Sequence, residues 1–278
     1  PDSFSGGGRI KTAAARGLAM LEAGADLIDI GGESTRPGAE PVSEREELQR
    51  VVPAIAALRA QTEAAISIDT MKPNVAAKAF AAGANIWNDV RALAEPGALA
   101  CAAELGGPVV LMHMAGDPRN MQARPHYDDV VAEVIAFLRA RVAAAQAAGI
   151  SDIWVDPGIG FGKTLAHNLA LLNAVARIGA EAGRPVLIGA SRKSLIEKID
   201  PSAVNPAKHR LGGSLAIALH AAQAGAAMLR VHDVAETVQA FGGLDTLLHF
   251  AAIHSVVPWD ELEPEEFNHV LAVNVTGS

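Results

Sequence analysis

Along this chain, short apolar runs that stop at a polar residue alternate with longer, alanine-rich stretches. The runs cover residues 26–30, 65–69, 84–88, 108–112, 153–156, 185–189 and 227–231. Segments of four to six apolar residues separated by helix-length stretches predict parallel strands joined by crossover helices. The helical stretches carry their own end signals. Gly24 follows 12–23, Ser43-Glu44-Arg45-Glu46 reads as a capping box opening 43–58, Gly149 closes 128–148 and Gly225 closes 207–224. Nearly continuous apolar strands are what a sheet covered on both faces requires. The expected fold is therefore α/β, a (β/α)8 TIM barrel over residues 1–240, with one strand fewer than the full set.

In such barrels the strand C-termini form the working rim, and here they carry the polar residues. Ile68-Asp69-Thr70, Asn88-Asp89 and Asp156 put a carboxylate or amide at the ends of separate strands. Each alone reads as a helix N-cap; at equivalent ends of one barrel they converge on one volume. Ser191-Arg192-Lys193 and Arg230-Val231-His232 add basic residues after the last two strands, where barrels commonly hold phosphate, although lysine and arginine are more often solvated surface bases. Asp156-Pro157-Gly158-Ile159-Gly160-Phe161-Gly162-Lys163-Thr164 ends like a phosphate loop, but Pro157 stands where the first glycine belongs. Two readings remain open for it, a flexible connection or a backbone that passes close to a flat ligand. An aspartate at Asp156 suits a paired N–H edge resembling guanidinium.

Composition excludes several other classes. The net charge of −8, from 23 basic and 31 acidic residues, speaks against nucleic-acid or anionic-membrane binding. The single cysteine, Cys101, rules out an intrachain disulfide and a thiolate cluster, so a reducing, cytoplasmic setting is expected. No HExxH-type chelate occurs among the nine histidines. No apolar run is long enough to span a membrane, and no signal peptide is expected.

Taken in order, Pro1-Asp2-Ser3-Phe4-Ser5, Asp29-Ile30-Gly31-Gly32-Glu33-Ser34-Thr35-Arg36-Pro37-Gly38, Ser67-Ile68-Asp69-Thr70, Asn88-Asp89-Val90, Leu111-Met112-His113-Met114, residues 156–164, Ser191-Arg192-Lys193-Ser194 and Arg230-Val231-His232-Asp233 resemble the dihydropteroate synthases, the pterin-binding barrels of folate synthesis. The resemblance implies condensation of a dihydropterin methyl diphosphate with 4-aminobenzoate. It also implies Mg2+, a homodimer and membership of a sulfonamide-target family. By the same resemblance Asp69, Asn88, Asp156 and Lys193 would hold the pterin, with Met112 in its wall. Arg230 and His232 would meet the diphosphate. Thr35, Arg36, Pro37, Phe161 and Ser191 would help form the aminobenzoate pocket. Lys193, Arg230, His232 and Asp156 are the expected catalytic set. A pterin-dependent methyltransferase shares the Asp and Asn anchors, but has no diphosphate to discharge. A chimera that binds pterin without turnover is the further alternative.

Two features depart from the family. Its first strand, whose terminal Asn helps place the metal, would precede Pro1, so that strand is expected to be absent. Residues 241–278 break the β-α rhythm and resemble a fragment of an extended short-chain dehydrogenase or sugar-nucleotide epimerase, without that family's glycine motif or Tyr-x-x-x-Lys pair. They are expected to form an appended segment. Within them, 270–276 mimics the absent strand, with Asn274 as a substitute ligand.

Overall fold

The computed structural model describes residues 10–36, 38–116, 121–122, 125–199 and 210–242. The chain separates into two compact units, Pro1–Val238 and Gln239–Ser278, the second almost wholly outside the described residues. The expected dehydrogenase-like segment, Asn274 included, therefore lies outside them except for Phe241 and Gly242, as do Pro37 and the opening Pro1-Asp2-Ser3-Phe4-Ser5.

Strands β1 (Leu27–Gly31), β2 (Ala65–Asp69), β3 (Ile86–Asp89), β4 (Val109–Met112) and β5 (Ile153–Asp156) pair in parallel and in sequence order. β6 (Leu187–Ile188) pairs with β7 (Met228–Leu229), and a parallel bridge from Val155 to Val186 joins this pair to β5. Among the described residues this makes seven strands, all parallel, each followed by a helix. The fold is a TIM-barrel α/β fold. Helices α1 (Ile10–Glu22), α2 (Glu44–Arg59), α5 (Val130–Ala147) and α9 (Leu211–Gln223) occupy the stretches read as helical from sequence. Further crossings are made by α3 (Pro73–Ala81), α4 (Ala98–Leu105), α6 (Leu165–Asn173), α7 (Val175–Ala182), α8 (Ser194–Ile199) and α10 (Val234–Gly242).

Strand geometry sends successive side chains to opposite faces, and the burial pattern shows which face is which. Ile28, Ile66, Ile68, Trp87, Leu111, Val155 and Ile188 share one large core with Ile55, Leu58, Val75 and Leu138 of the helices. That phase faces the helices. The opposite phase, toward the barrel axis, ends in Asp29, Asp69, Asn88, Met112, Asp156 and Arg230. Parallel register brings several of these side by side, pairing Asp69 with Asn88 and Met112 with Asp156.

The capping expectation at α2 is half met. Ser43 Oγ accepts the Glu46 N–H at 3.3 Å, but the Glu46 carboxylate turns to Arg50 instead of back to the cap. A reciprocal box opens α6, where Thr164 and His167 bond each other's backbone. Histidine is not the usual partner at the third helical position, which hides this box in the sequence. No helix among the described residues is long and apolar enough to cross a membrane.

Beyond β3 the chain makes a turn unusual for side-chain-bearing residues. Ala92 and Leu93 adopt φ of 55° and 58°, a left-handed conformation that needs outside support. Asp89 accepts the Arg91 and Leu93 N–H groups at 2.8 and 2.9 Å. From α5, Arg141 donates to the Ala92 and Leu93 carbonyls, both at 2.8 Å. This turn fixes the exit of Asn88 from β3. We expect Arg141→Met, which keeps the apolar stem and removes both bonds, to cost about 1–3 kcal/mol in denaturant unfolding. An unchanged midpoint would show that the turn holds itself.

Candidate functional site

Arg230, leaving β7, reaches across to the first two strands. Its Nη1 donates to Asp29 Oδ2 and Asp69 Oδ2, each at 3.1 Å. Gly189 makes room for it, because a Cβ there would lie 3.1 Å from Arg230 Nε. Asp29 is held in turn by the Ser67 hydroxyl, which donates to Oδ1. One guanidinium thus faces two carboxylates. Burial, then the neighbouring Asp29, raises the Asp69 carboxyl above its ordinary range, while Arg230 opposes the shift. Arg230 itself stays protonated, because Asp29 and Asp69 outweigh its burial.

Lys193 sits on the same rim. Its Nζ donates to the Ile159 carbonyl and lies 4.4 Å from the centre of the Phe161 ring. The aromatic face favours the ammonium, but burial and then Arg230 pull Lys193 down to about 7, with Asp156 and Asp69 acting the other way. Groups from β2, β5 and β7 therefore all act on one amine. Asp156, 2% exposed, accepts the Gly158 N–H at 2.7 Å through Oδ1. Asn88 is buried, and its side-chain amide makes no hydrogen bond to a described residue. A buried carboxylate with acceptor sites to spare and, two strands away, the Asn88 amide form a polar edge that suits a hydrogen-bonding partner.

The glycine-rich stretch after β5 is packed against its neighbours along its length. At Gly158, φ is +70° and a Cβ would fall 1.8 Å from the His113 carbonyl. Gln122 donates to Gly160 O at 2.8 Å, Tyr127 to Gly162 O at 3.0 Å, and the Gly160 N–H donates to Asn168 at 2.7 Å. Inside it, Lys163 is only 1% exposed, with Nζ 2.9 Å from His113 Nδ1 and 3.0 Å from the Phe161 carbonyl. Burial, then Lys163, lowers His113 to about 3, so the imidazole that shares this hydrogen bond is neutral. Phe161 joins Val90, Met112 and Met121 in a separate apolar cluster, flanked by Met71 and Met114. Flexible thioethers suit a wall that adapts to a flat guest.

Ser191 and His232 meet on the last two loops, with Nδ1 of the histidine 3.1 Å from the hydroxyl. Burial, then Arg192 and Arg230, lowers His232 to about 4, so it is a neutral ring at pH 7; Arg36 contributes to that shift, which brings the loop after β1 to the same neighbourhood. Arg192 does not serve the rim. It adopts φ of 57° and forms a bidentate pair with Asp233.

Comparison with known proteins decides among the families such a rim could serve. The model of the pterin-binding enzymes matches residues 1–232. The dihydropteroate synthase of Escherichia coli strain K12 is 49% identical over 253 residues, covering 89% of this chain and 88% of that one. Among solved structures, Xanthomonas albilineans dihydropteroate synthase with 4-aminobenzoic acid superposes with a TM-score of 0.81 at 52% identity, covering 87% of this chain and 88% of that one. Yersinia pestis dihydropteroate synthase, solved in a sulfonamide drug complex, gives 0.83 at 47% identity with the same coverage. The chain belongs to the dihydropteroate synthase family.

As a dihydropteroate synthase family member it is a transferase, and its rim gathers Asp69, Asn88, Met112, Asp156, Phe161, Ser191, Lys193, Arg230 and His232 from six strand ends. Arg36 approaches on the β1 loop, which also carries Thr35, and Pro37 is outside the described residues. Sequence reasoning assigned no role to Asp29, Ser67, Lys163 or His113. The signals for Asp29 were its place at the head of the 29–38 family motif and its parity with Asp69 in the neighbouring strand. The state of Lys193 yields a pH prediction. A lysine lowered to about 7 loses its proton as pH rises through 7, so any step needing the ammonium should weaken above that pH. Lys193→Arg keeps its charge and should remove that limb from a kcat/KM profile; a limb persisting in the variant would assign it to another group.

Proposed function

We propose that this rim condenses 6-hydroxymethyl-7,8-dihydropterin diphosphate with 4-aminobenzoate, giving 7,8-dihydropteroate and diphosphate. The observation that carries the reading is the common inward phase of Asp69, Asn88, Met112 and Asp156 on neighbouring strands, beneath Lys193 and Arg230. Asp156 accepts the amino and ring N–H groups of the pterin, a paired donor edge like guanidinium. Asn88 and Asp69 bond the remaining ring nitrogens, Lys193 the ring's polar edge, and Met112 with Phe161 lies against a face. Thr35, Arg36, Pro37, Phe161 and Ser191 form the aminobenzoate side.

In the reaction the bond from the pterin methylene to the diphosphate oxygen breaks, and its electron pair leaves with the diphosphate. The amine lone pair of aminobenzoate forms the new C–N bond, and the nitrogen then gives up a proton to solvent. The ionising methylene is stabilised by the electron-rich pterin, held in plane by Asp156 and Asn88. Charge developing on the leaving group meets Arg230, whose Nη2 and Nε remain after Nη1 has served Asp29 and Asp69. His232, being neutral, contributes a hydrogen bond and not a charge. No strong base is required, since the attacking amine is already neutral.

Among the described residues no group of three or more His, Cys, Asp or Glu could hold a metal. The Mg2+ ion that we expect would be bound together with the diphosphate. When bound it would offset charge on the leaving group. We further propose a working barrel within residues 1–240, 241–278 as an appendage, a homodimer, a cytoplasmic setting and competition by sulfonamides for the aminobenzoate side. The pterin assignment is tested by titrating the chain with pterin diphosphate. Asp156→Asn should weaken binding at least about tenfold, because a hydrogen bond to a charged group contributes on the order of 1.5–3 kcal/mol. Equal affinities would falsify the assignment.

A further inference from the structure

The loop after β1 carries Thr35, Arg36 and Pro37 on residues 34–41, and its base is tied shut in an unusual way. Glu33 enters the loop and Val42 leaves it. The Glu33 carboxylate accepts the Val42 N–H at 3.1 Å through Oε1 and Lys72 Nζ at 2.5 Å through Oε2. The same Nζ donates to the Val42 carbonyl at 2.8 Å and to Glu47 Oε2 at 2.6 Å. An ammonium has three hydrogens, and here each finds an acceptor, two of them at the two ends of one loop. Both backbone groups of Val42 are engaged by this cluster.

The surroundings make the arrangement costly and specific. Glu47 is 0% exposed, and its Oε1 has no hydrogen-bond partner. Gly32 packs against α2 so closely that a Cβ would meet Val51 at 2.8 Å and Glu47 at 2.9 Å, and Arg50 donates to its carbonyl at 2.7 Å. A buried ion cluster is a poor source of net stability; what it imposes is one geometry. Lys72 also stands three residues beyond Asp69, and its own N–H bonds Thr70 Oγ1 at 3.2 Å. The side chain thus ties the segment that carries Asp69 to the loop that carries Arg36.

We infer that Lys72, clasping Glu33, Val42 and Glu47, is a positioning residue that holds loop 34–41 in register with the pterin anchors. It sets the fit of the second substrate without touching it. The inference rests on reading that loop as part of the aminobenzoate side.

The decisive variant in the full chain is Glu33→Gln. It can still accept the Val42 N–H but gives up the charge that holds Lys72, and it leaves the Lys72–Glu47 pair intact. Lys72→Met is the companion; because it strands the Glu47 carboxylate, its thermal melt is read first, and if it unfolds, Glu33→Gln alone decides. In Glu33→Gln the KM for 4-aminobenzoate should rise about tenfold while that for pterin diphosphate stays within about twofold, as expected for a misplaced positioning element. Hydrogen exchange at the Val42 amide should quicken. Unaltered exchange, or quicker exchange with both KM values unmoved, overturns the inference. Arg36→Ala separates the two layers: if it leaves the aminobenzoate KM unchanged, the loop reading falls and the inference falls with it. If that KM rises in Arg36→Ala but not in Glu33→Gln, only the clasp is lost.

Discussion

A strand covered on both faces must send alternate side chains to different surroundings, and the function of this chain depends on the phase being the same in every strand. Ile66 and Ile68 go to the helices while Ser67 and Asp69 go to the axis; Trp87 goes out and Asn88 in; Leu111 out and Met112 in; Val155 out and Asp156 in. A slip by one residue in β2 would bury the Asp69 carboxylate among the helices and turn Ile68 into the rim. The apolar core is what forbids the slip. Substrate-facing chemistry is therefore a consequence of how the outward phase packs, and needs no separate device to aim it.

The rim concentrates charges in a half-buried space, which a fold tolerates only when they are paired. Arg230 answers this by spanning from β7 to β1 and β2, so β1 and β7 are joined by an ionic contact where no ladder among the described residues joins them. The same contact divides one positive charge between Asp29 and Asp69 and leaves further guanidinium donors for an anion. Lys193 is treated differently. It has a carbonyl and an aromatic face but, among the described residues, no direct carboxylate bond, and burial draws it toward neutrality. Two cations on one rim are thus tuned in opposite directions, one fixed in charge and one poised near neutral pH.

Much of this was legible in the chain because polar residues at the ends of apolar runs are costly and therefore informative. Asp69, Asn88, Asp156, Lys193 and Arg230 announce themselves in that way. What stayed hidden were contacts made across long separations. Asp29 lies within a run of apolar residues and gains meaning only when Arg230, 201 positions later, is brought to it. Lys163 and His113 meet only because β4 and β5 are neighbours. Adjacent residues could be told apart by the family resemblance but not by their own chemistry. Arg192 and Lys193 look alike in sequence, yet a left-handed turn at Arg192 delivers one to Asp233 and the other to the rim.

The glycine-rich stretch shows why a motif constrains geometry more firmly than chemistry. Its ending resembles a phosphate loop, whose lysine must reach out to an anion. Here the lysine points inward instead, bonded to His113 and to its own loop's carbonyl. Gly158 and Gly162 are required because the β4 loop presses on them: a Cβ would strike His113 O at 1.8 Å and Ala115 at 2.8 Å. The glycines serve packing within the chain, and the buried lysine satisfies the carbonyls that such close packing exposes. What the stretch offers the rim is Phe161 and the carbonyl of Ile159, an apolar face and a dipole set beside Asp156. That combination suits a flat heterocycle with polar edges far better than a phosphate.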